Sequence, residues 1–263
     1  MISQNDNMMP IKLLNRINKL KNDLSKNILK LIFEKKTNVA LSLDISDKKK
    51  FLTILKHVAE HICILKTHIN TINDFDIKFI EEIIKIQNEH KFYILEDGKF
   101  SDIGNTFQKQ LTEGVFKINT WANSITAHGI SGKSIINTYQ NINDNNNNKG
   151  IIFVAQMSNK GNLITETYTN SIIDMCNNNK IITGFVTQKK ISDDSYLYFT
   201  PGVSIQNTND NIDQQYRTPK DAIINDNCDV LIVGRGIYTC DNYIEKAIEY
   251  KLRSYPYFIE KYT

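Results

Sequence analysis

The stretch from 96 to 104 holds the densest set of groups that could do chemistry, because carboxylates and a lysine are interleaved there. Side chains of an extended strand alternate between two faces, so Asp97 and Lys99 would share one face and Glu96 would point to the other. Asp102 could fold back from the loop beyond. An ammonium held among carboxylates can stabilise developing negative charge and donate a proton. Taken alone, the motif fits a surface ion-pair cluster, worth under about 1 kcal/mol, better than a catalytic site.

A Gly-Arg-Gly turn at 234–236 is the second candidate, and its chemistry is anion binding. Glycine lets backbone N–H groups approach a phosphate, and the guanidinium of Arg235 can bind it through two hydrogen bonds. The alternative interpretation is a tight turn with an exposed arginine.

Eight short apolar runs could form the strands that position these groups. They lie at 39–44, 62–67, 92–97, 124–128, 151–156, 182–187, 197–200 and 229–233. Helical patterns lie between them, for example at 48–60, 79–89, 106–113 and 243–253. This alternation predicts an α/β fold, a (β/α)8 TIM barrel. An open doubly wound sheet is the main alternative, but no Gly-x-Gly-x-x-Gly motif follows the first strand.

Polar residues gather at the carboxyl ends of these predicted strands. In a barrel those ends converge on one mouth, which holds the active site, and the loops after strands seven and eight commonly bind phosphate. Any one of them could be an incidental boundary residue, but so many at the same end favour a site. They are Asp44, Lys66, His68, Asp97, Lys99, His128 and Ser158, and the last two strands end in the segments Thr200-Pro201-Gly202 and Gly234-Arg235-Gly236.

The remaining segments fit one barrel domain over 1–263. The pattern at 11–33 predicts one amphipathic helix, or two joined, packed on the outside or the closed end of the barrel, so we expect an extra helical segment at about 10–34. The Asn-rich run at 143–148 predicts a solvated loop.

Composition argues against several classes of function. A net charge of +3, with lysines interleaved among acidic residues, gives little support to nucleic-acid or membrane binding. The four cysteines are scattered, and His68 and His128 have no third partner, so we expect no metal site and hydrogen-bonding roles for both histidines. No signal-peptide core or long apolar run is present, so we expect a cytoplasmic protein.

Six blocks of the sequence, taken together, resemble the orotidine 5′-monophosphate decarboxylase family. The resemblance runs from about 37 to 255 and is greatest to the eukaryotic type, which often forms the C-terminal half of UMP synthase. The blocks are Leu-Ser-Leu-Asp at 41–44, Leu-Lys-Thr-His at 65–68, Glu-Asp-Gly-Lys-Phe-Ser-Asp-Ile-Gly-Asn-Thr at 96–106, Thr-Pro-Gly-Val at 200–203, Gln-Gln-Tyr-Arg-Thr at 214–218 and Ile-Val-Gly-Arg-Gly at 232–236.

The resemblance implies a cofactor-free lyase that converts orotidine 5′-monophosphate to UMP and CO2. It implies a charged catalytic array in which Lys99 donates the proton, and a homodimer in which Asp102, Ile103 and Thr106 reach the partner's site. The implied array is Lys66, Asp97, Lys99 and Asp102. The implied binding residues are Asp44 for a ribose hydroxyl, Ser158 for the pyrimidine amide, Pro201 beside the ring, and Gln214, Tyr216 and Arg235 for the phosphate, with Gly234 in the phosphate turn and His68 in support.

The sequence departs from the family where Gly98 replaces the usual arginine, but this position alternates away from the mouth, so we expect little catalytic cost. Nothing resembles the diphosphate-binding motif of a phosphoribosyltransferase, so we expect a stand-alone decarboxylase or an excised domain. Two alternatives stay open: a related metal-dependent keto-sugar-phosphate decarboxylase, and a catalytically silent nucleotide-binding relative.

Overall fold

The computed structural model describes residues 8–144, 146–205 and 216–263. Within these ranges eight parallel strands pair in sequence order, and the last strand pairs with the first, so the sheet closes into a barrel. The predicted (β/α)8 fold is confirmed. The strands are β1 Val39–Ser42, β2 Ile64–Thr67, β3 Tyr93–Phe100, β4 Ser124–Ala127, β5 Gly150–Val154, β6 Ile182–Val186, β7 Leu197–Thr200 and β8 Val230–Val233.

Helices precede the barrel and follow most of its strands. They are α1 Ile11–Lys19, α2 Asp23–Lys35, α3 Lys48–Val58, α4 Ile77–His90, α5 Gly104–Thr112, α6 Lys133–Ile142, α7 Glu166–Cys176, α8 Arg235–Tyr238 and α9 Tyr243–Tyr262. Side-chain caps fix several helix starts: Asp47 accepts a hydrogen bond from the Lys50 N–H at the start of α3, and Asp76 accepts one from Phe79 in α4. None of the helices in the described ranges is long and apolar enough to cross a membrane.

The barrel interior is apolar toward its amino end and polar toward its carboxyl end. Ala40 and Ile64 lie in the core shared with the N-terminal helices. Two residues further along the same strands, Ser42 and Lys66 line a cavity at the carboxyl end. Side chains two residues apart lie on the same face of a strand. The inward-facing side chains of β1 and β2 therefore belong first to the core and then, further along each strand, to the cavity wall.

The N-terminal helices cover the amino end of the barrel. Of the two predicted locations, the outside and the closed end, they occupy the closed end. Leu13 and Ile17 of α1 and Leu24 and Ile28 of α2 are buried in the interior core. Asn22, between the two helices, donates hydrogen bonds to the carbonyls of residues 149 and 180, directly before β5 and near the start of β6.

A fully buried carboxylate ties this cap to the C-terminal helix. Asp229, directly before β8, accepts hydrogen bonds from Lys261 Nζ at 2.8 Å, Tyr262 Oη at 2.9 Å and Arg16 Nη2 at 3.2 Å. Burial alone would raise the pKa of Asp229, but the positive charges of Lys261 and Arg16 outweigh it and hold that pKa below its ordinary value. The network stabilises α1 and α9 against the barrel.

A second buried carboxylate, Glu96, points outward from β3 and holds the turn after β2. It is 1% exposed and accepts hydrogen bonds from Thr67 Oγ1 at 2.6 Å and from the Ile69 N–H at 3.1 Å. Burial raises its pKa from the ordinary 4.5 to about 7. The two contacts flank His68, so Glu96 holds the end of β2, which contains Lys66, and the turn that contains His68.

Replacing Glu96 with glutamine should flatten the pH dependence of stability between pH 4.5 and 7. Because its folded-state pKa is raised, Glu96 contributes stability that is fully present below about pH 4.5 and is lost as the pH rises through about 7. The free energy of unfolding of the native sequence, relative to Glu96→Gln, should fall across this window by up to about 3 kcal/mol. Urea denaturation at several pH values measures it. The exposed Glu89→Gln should keep the native profile, and an unchanged profile in Glu96→Gln would refute the assignment.

Candidate active site

A cavity of about 560 Å³ opens at the carboxyl end of the barrel. All eight strands, or the loops that directly follow them, contribute to its wall. Strand closure therefore brings together residues that are far apart in sequence, as the barrel prediction requires. Of the predicted site residues, the wall contains Asp44, Lys66, Asp97, Lys99, Ser158, Pro201, Tyr216, Gly234 and Arg235.

Three charged side chains meet on one side of this cavity. Asp97 Oδ2 lies 2.7 Å from Lys66 Nζ and 2.8 Å from Lys99 Nζ. Lys66 Nζ is also 3.6 Å from Asp44 Oδ1, so positive and negative groups alternate along the cluster. Lys66 is buried, whereas the Lys99 side chain is 38% exposed and can meet a ligand.

The central carboxylate is ionised despite its burial. Burial would raise the pKa of Asp97, but a hydrogen bond from His68 and the positive charges of Lys66 and Lys99 hold that pKa well below its usual range. His68 Nε2 lies 3.2 Å from Asp97 Oδ2 and 3.0 Å from Lys66 Nζ. His68, predicted to support the site, therefore contacts both Asp97 and Lys66.

The backbone at Lys99 departs from strand geometry. Its φ is +46°, in the left-handed region that non-glycine residues rarely adopt. The pairing of β3 with β4 is irregular over the same residues, between Glu96 and Phe100. The simple alternation used in the sequence prediction stops at this point, yet the Lys99 side chain still reaches Asp97.

Two hydroxyl residues on the strands of the cavity wall, Ser42 and Thr126, were not predicted. Ser42 Oγ donates a hydrogen bond to Asp44, with Oδ2 at 3.0 Å, and Thr126 Oγ1 donates one to Asp97 Oδ1 at 2.7 Å. Each lies two residues before a predicted polar strand end, Asp44 and His128, and so on the same strand face. This two-residue spacing is the sequence pattern from which both residues could have been predicted.

Asp102 does not join the charged cluster of its own chain. It lies in the loop after β3, where its Oδ1 accepts a hydrogen bond from the Ile103 N–H at 2.8 Å. Among the described residues no ion pair links it to Lys66 or Lys99. Ile103 is 59% exposed, and Thr106 is also exposed. A single chain therefore brings together three of the four predicted catalytic residues.

The other side of the cavity carries the predicted anion site. Arg235 begins α8 directly after β8, and its Nη2 lies 3.4 Å from Tyr216 Oη. Gly234 sits close to β1, because a Cβ added there would lie 3.1 Å from the Ser42 carbonyl oxygen. Gln214 lies outside the described residues.

Gly98 is exposed and outside the cavity wall, as its predicted orientation requires. The ring of Phe100 occupies the space over it, so an added Cβ would lie 2.5 Å from Phe100 Cε2. Phe100 in turn packs edge-on against Phe107 of α5 at 5.7 Å. A side chain at 98 would therefore need the phenyl ring to move.

Within the described ranges, no group of three or more His, Cys, Asp or Glu side chains is arranged to hold a metal ion. Burial, followed by the charge of Lys99, lowers the pKa of His128 at the end of β4.

Sequence comparison identifies relatives along most of the chain. The family model described as Orotidine 5'-phosphate decarboxylase / HUMPS family matches residues 37–250. The orotidine 5'-phosphate decarboxylase of Rhizopus oryzae is 34% identical, with 91% of this chain and 92% of that protein covered. That of Phycomyces blakesleeanus is 38% identical, with 82% of each covered. The uridine 5'-monophosphate synthase of Bos taurus is 34% identical over 89% of this chain and 49% of its own length.

Solved structures share the fold. Orotidine 5'-phosphate decarboxylase from Pyrococcus horikoshii aligns with a TM-score of 0.63 at 21% identity, covering 82% of this chain and 98% of that one. The enzyme from Methanocaldococcus jannaschii, complexed with the inhibitor BMP, aligns with the same score and coverage at 22% identity. With the family match over 37–250 and relatives at 34–38% identity, the chain belongs to the orotidine 5'-phosphate decarboxylase / HUMPS family.

Proposed function

We propose that this chain converts orotidine 5′-monophosphate to UMP and CO2. The observation that carries the proposal is the Lys66–Asp97–Lys99 cluster, which faces the same cavity as Arg235. A nucleotide has two ends of different chemistry, and this cavity offers an ammonium group at one side and a guanidinium at the other. The curated relatives from Rhizopus oryzae and Phycomyces blakesleeanus carry the name of this activity.

In the proposed reaction the bond between C6 of the pyrimidine and the carboxylate breaks, and its electron pair stays on C6. That pair lies in the ring plane, so the π system cannot absorb it, and a nearby positive charge must stabilise it. Lys99 supplies this charge from its ammonium group and then donates a proton to C6. Asp97, bonded to both lysines, keeps the two ammonium groups at fixed positions. Fixed charges cost no reorganisation when the carbanion forms.

The remaining wall residues bind the parts of the nucleotide that do not react. We assign the phosphate to Arg235, Tyr216 and the Gly234 turn, together with Gln214, which lies outside the described residues. The ribose lies at Asp44 in this assignment, and the pyrimidine lies between Ser158 and Pro201. Binding energy from the distant phosphate can order the site around the reacting carbon, so the phosphate residues would contribute to the rate as well as to affinity.

We also propose that the active form is a homodimer of this single barrel domain. Asp102, Ile103 and Thr106 project from the loop after β3 and the start of α5 without entering the cavity of their own chain. A two-fold axis beside this loop would place each loop at the partner's cavity. Asp102 would then add a further carboxylate to the cluster.

Lys99→Ala should abolish turnover while the nucleotide still binds. We expect kcat for orotidine 5′-monophosphate to fall at least about 1,000-fold, since both charge stabilisation and the proton donor are lost. The dissociation constant of UMP should stay within about threefold, because the phosphate contacts persist. An ultraviolet assay with a chelator present measures turnover, and it also separates this activity from a metal-dependent one. Lys49→Ala, on the exposed face of α3, is the control, and near-native turnover in Lys99→Ala would exclude Lys99 as the proton donor.

Arg235→Ala should weaken binding only of ligands that carry the phosphate. A lost charge-assisted hydrogen bond predicts a rise of about 10- to 100-fold in the dissociation constant of UMP, with little change for uridine. Calorimetric titration with both ligands measures the difference. Arg253→Ala, which removes an exposed arginine from α9, should bind both as the native protein does. Equal losses for UMP and uridine would show that Arg235 does not act on the phosphate.

Mixing two inactive variants tests the shared site. Lys99→Ala and Asp102→Asn chains are each expected to be inactive. In a mixed dimer one of the two sites contains both native residues, so random exchange should restore about a quarter of native activity. Mixing Lys99→Ala with Asp97→Asn, two residues of the same cluster, is the control and should restore nothing. Failure of the first mixture to recover would place Asp102 outside the partner's site.

A further inference from the structure

Thr126 of β4 is the one residue that opposes the irregular part of β3. Glu96 pairs with Ile125 and Phe100 pairs with Ala127, so residues 97–99 lie opposite a single residue of β4. Thr126 is fully buried and borders the cavity. The contacts of Thr126 therefore take the place of regular strand pairing at the segment of β3 that contains Asp97 and Lys99.

The hydroxyl of Thr126 joins the backbone of one member of this pair to the side chain of the other. It accepts a hydrogen bond from the Lys99 N–H at 3.0 Å and lies 2.7 Å from Asp97 Oδ1. A hydroxyl has one proton. Since the amide must donate to the hydroxyl and the carboxylate must accept from it, the direction of both bonds is fixed.

This contact complements the ion pairs of Asp97. Both lysines bind the Oδ2 atom, at 2.7 Å and 2.8 Å, whereas Thr126 binds Oδ1. Without Thr126 the carboxylate could turn about its Cβ–Cγ bond with one oxygen unsatisfied. A buried acceptor without a donor is costly, particularly when it is charged.

The same hydroxyl holds Lys99 in its unusual conformation. A φ of +46° is unfavourable for a residue with a side chain and persists only where surrounding contacts hold it. The hydrogen bond from the Lys99 N–H to Thr126 is one such contact. It fixes the direction in which the lysine side chain leaves the strand, toward Asp97 and the cavity.

We propose that Thr126 is a positioning residue, whose hydroxyl fixes the Asp97 carboxylate and the Lys99 backbone as one unit. The inference rests on the proposed function for its effect on rate, while its effect on the backbone is independent of that function. A purely structural threonine would affect stability alone. A positioning threonine affects kcat, because the ammonium loses its alignment with the reacting carbon.

The test compares Thr126→Val, which keeps the shape and removes the hydroxyl, with Thr126→Ser, which keeps the hydroxyl. For orotidine 5′-monophosphate we expect kcat of Thr126→Val to fall about 10- to 100-fold, as for a lost hydrogen bond to a charged group, with KM within about threefold. Thr126→Ser should stay within about threefold of the native kcat. Thr183→Val is the matched control, since Thr183 is a fully buried threonine of β6 whose hydroxyl bonds Asn22 at the closed end.

Amide exchange of Lys99, followed by NMR, gives a readout that does not depend on activity. Exchange should accelerate at least about tenfold in Thr126→Val and stay near native in Thr126→Ser and Thr183→Val. If Thr126→Val does not fold, Thr126→Ala takes its place in the comparison with Thr126→Ser.

The possible outcomes separate this inference from the proposed function. A native protein inactive on orotidine 5′-monophosphate would refute the function, and the exchange data would still decide the role of Thr126. Native kcat in Thr126→Val, or equal losses in the serine and valine variants, would overturn the inference. Loss of kcat in Thr183→Val to the same extent would reduce Thr126 to a structural residue.

Discussion

The carboxylate of Asp97, buried between two lysines, is the interaction on which the rest of the site depends. Its Oδ2 lies within 2.8 Å of both Lys66 Nζ and Lys99 Nζ. Two ammonium groups held this close would repel each other, and one carboxylate between them reverses the sign of the interaction. The carboxylate depends on its neighbours in turn, because the hydrogen bond from His68 and the charges of the two lysines outweigh burial and lower the pKa of Asp97. The three charged side chains therefore stabilise one another, and the barrel must bring all three together.

The barrel meets this condition by separating its two ends. At the amino end a buried carboxylate, Asp229, also binds two cations, Arg16 and Lys261, but there it fastens the N-terminal and C-terminal helices. At the carboxyl end, the equivalent cluster of one carboxylate and two cations lines a cavity. The apolar inward rows between the two ends keep the networks apart. Rigidity at the closed end supports fixed geometry at the open end, which electrostatic stabilisation of a transition state requires.

Sequence periodicity predicted the elements whose patterns are strong and missed those where tertiary contacts override local preference. The strand β7 has the predicted bounds, 197–200, because an apolar run between polar neighbours defines it. Helices α6 and α7 are rich in asparagine, threonine and isoleucine, which are weak helix formers, and their bounds were not among the examples that the sequence pattern gave. The pattern at 243–253 stops before Pro256, yet α9 continues to Tyr262, since burial of Phe258 and Tyr262 against the interior core outweighs the cost of the proline.

For the site, alternation along β3 predicted that Asp97 and Lys99 lie together, as they do, but the backbone reaches this arrangement through a left-handed conformation at Lys99 and a contact with Thr126 that the pattern could not predict. Threonine is common in strands, so its type alone carries no signal of a role. Asp102 shows a different limit, because its proposed partners belong to a second chain that no single-chain pattern describes. The charge balance of the cluster explains why a partner chain would affect the proposed reaction. Within one chain Lys66 and Lys99 face Asp97 and Asp44, two charges of each sign. A carboxylate from a partner would make the cluster net negative beside a substrate that bears its own carboxylate, so release of neutral CO2 would relieve more repulsion in a dimer than in a single chain.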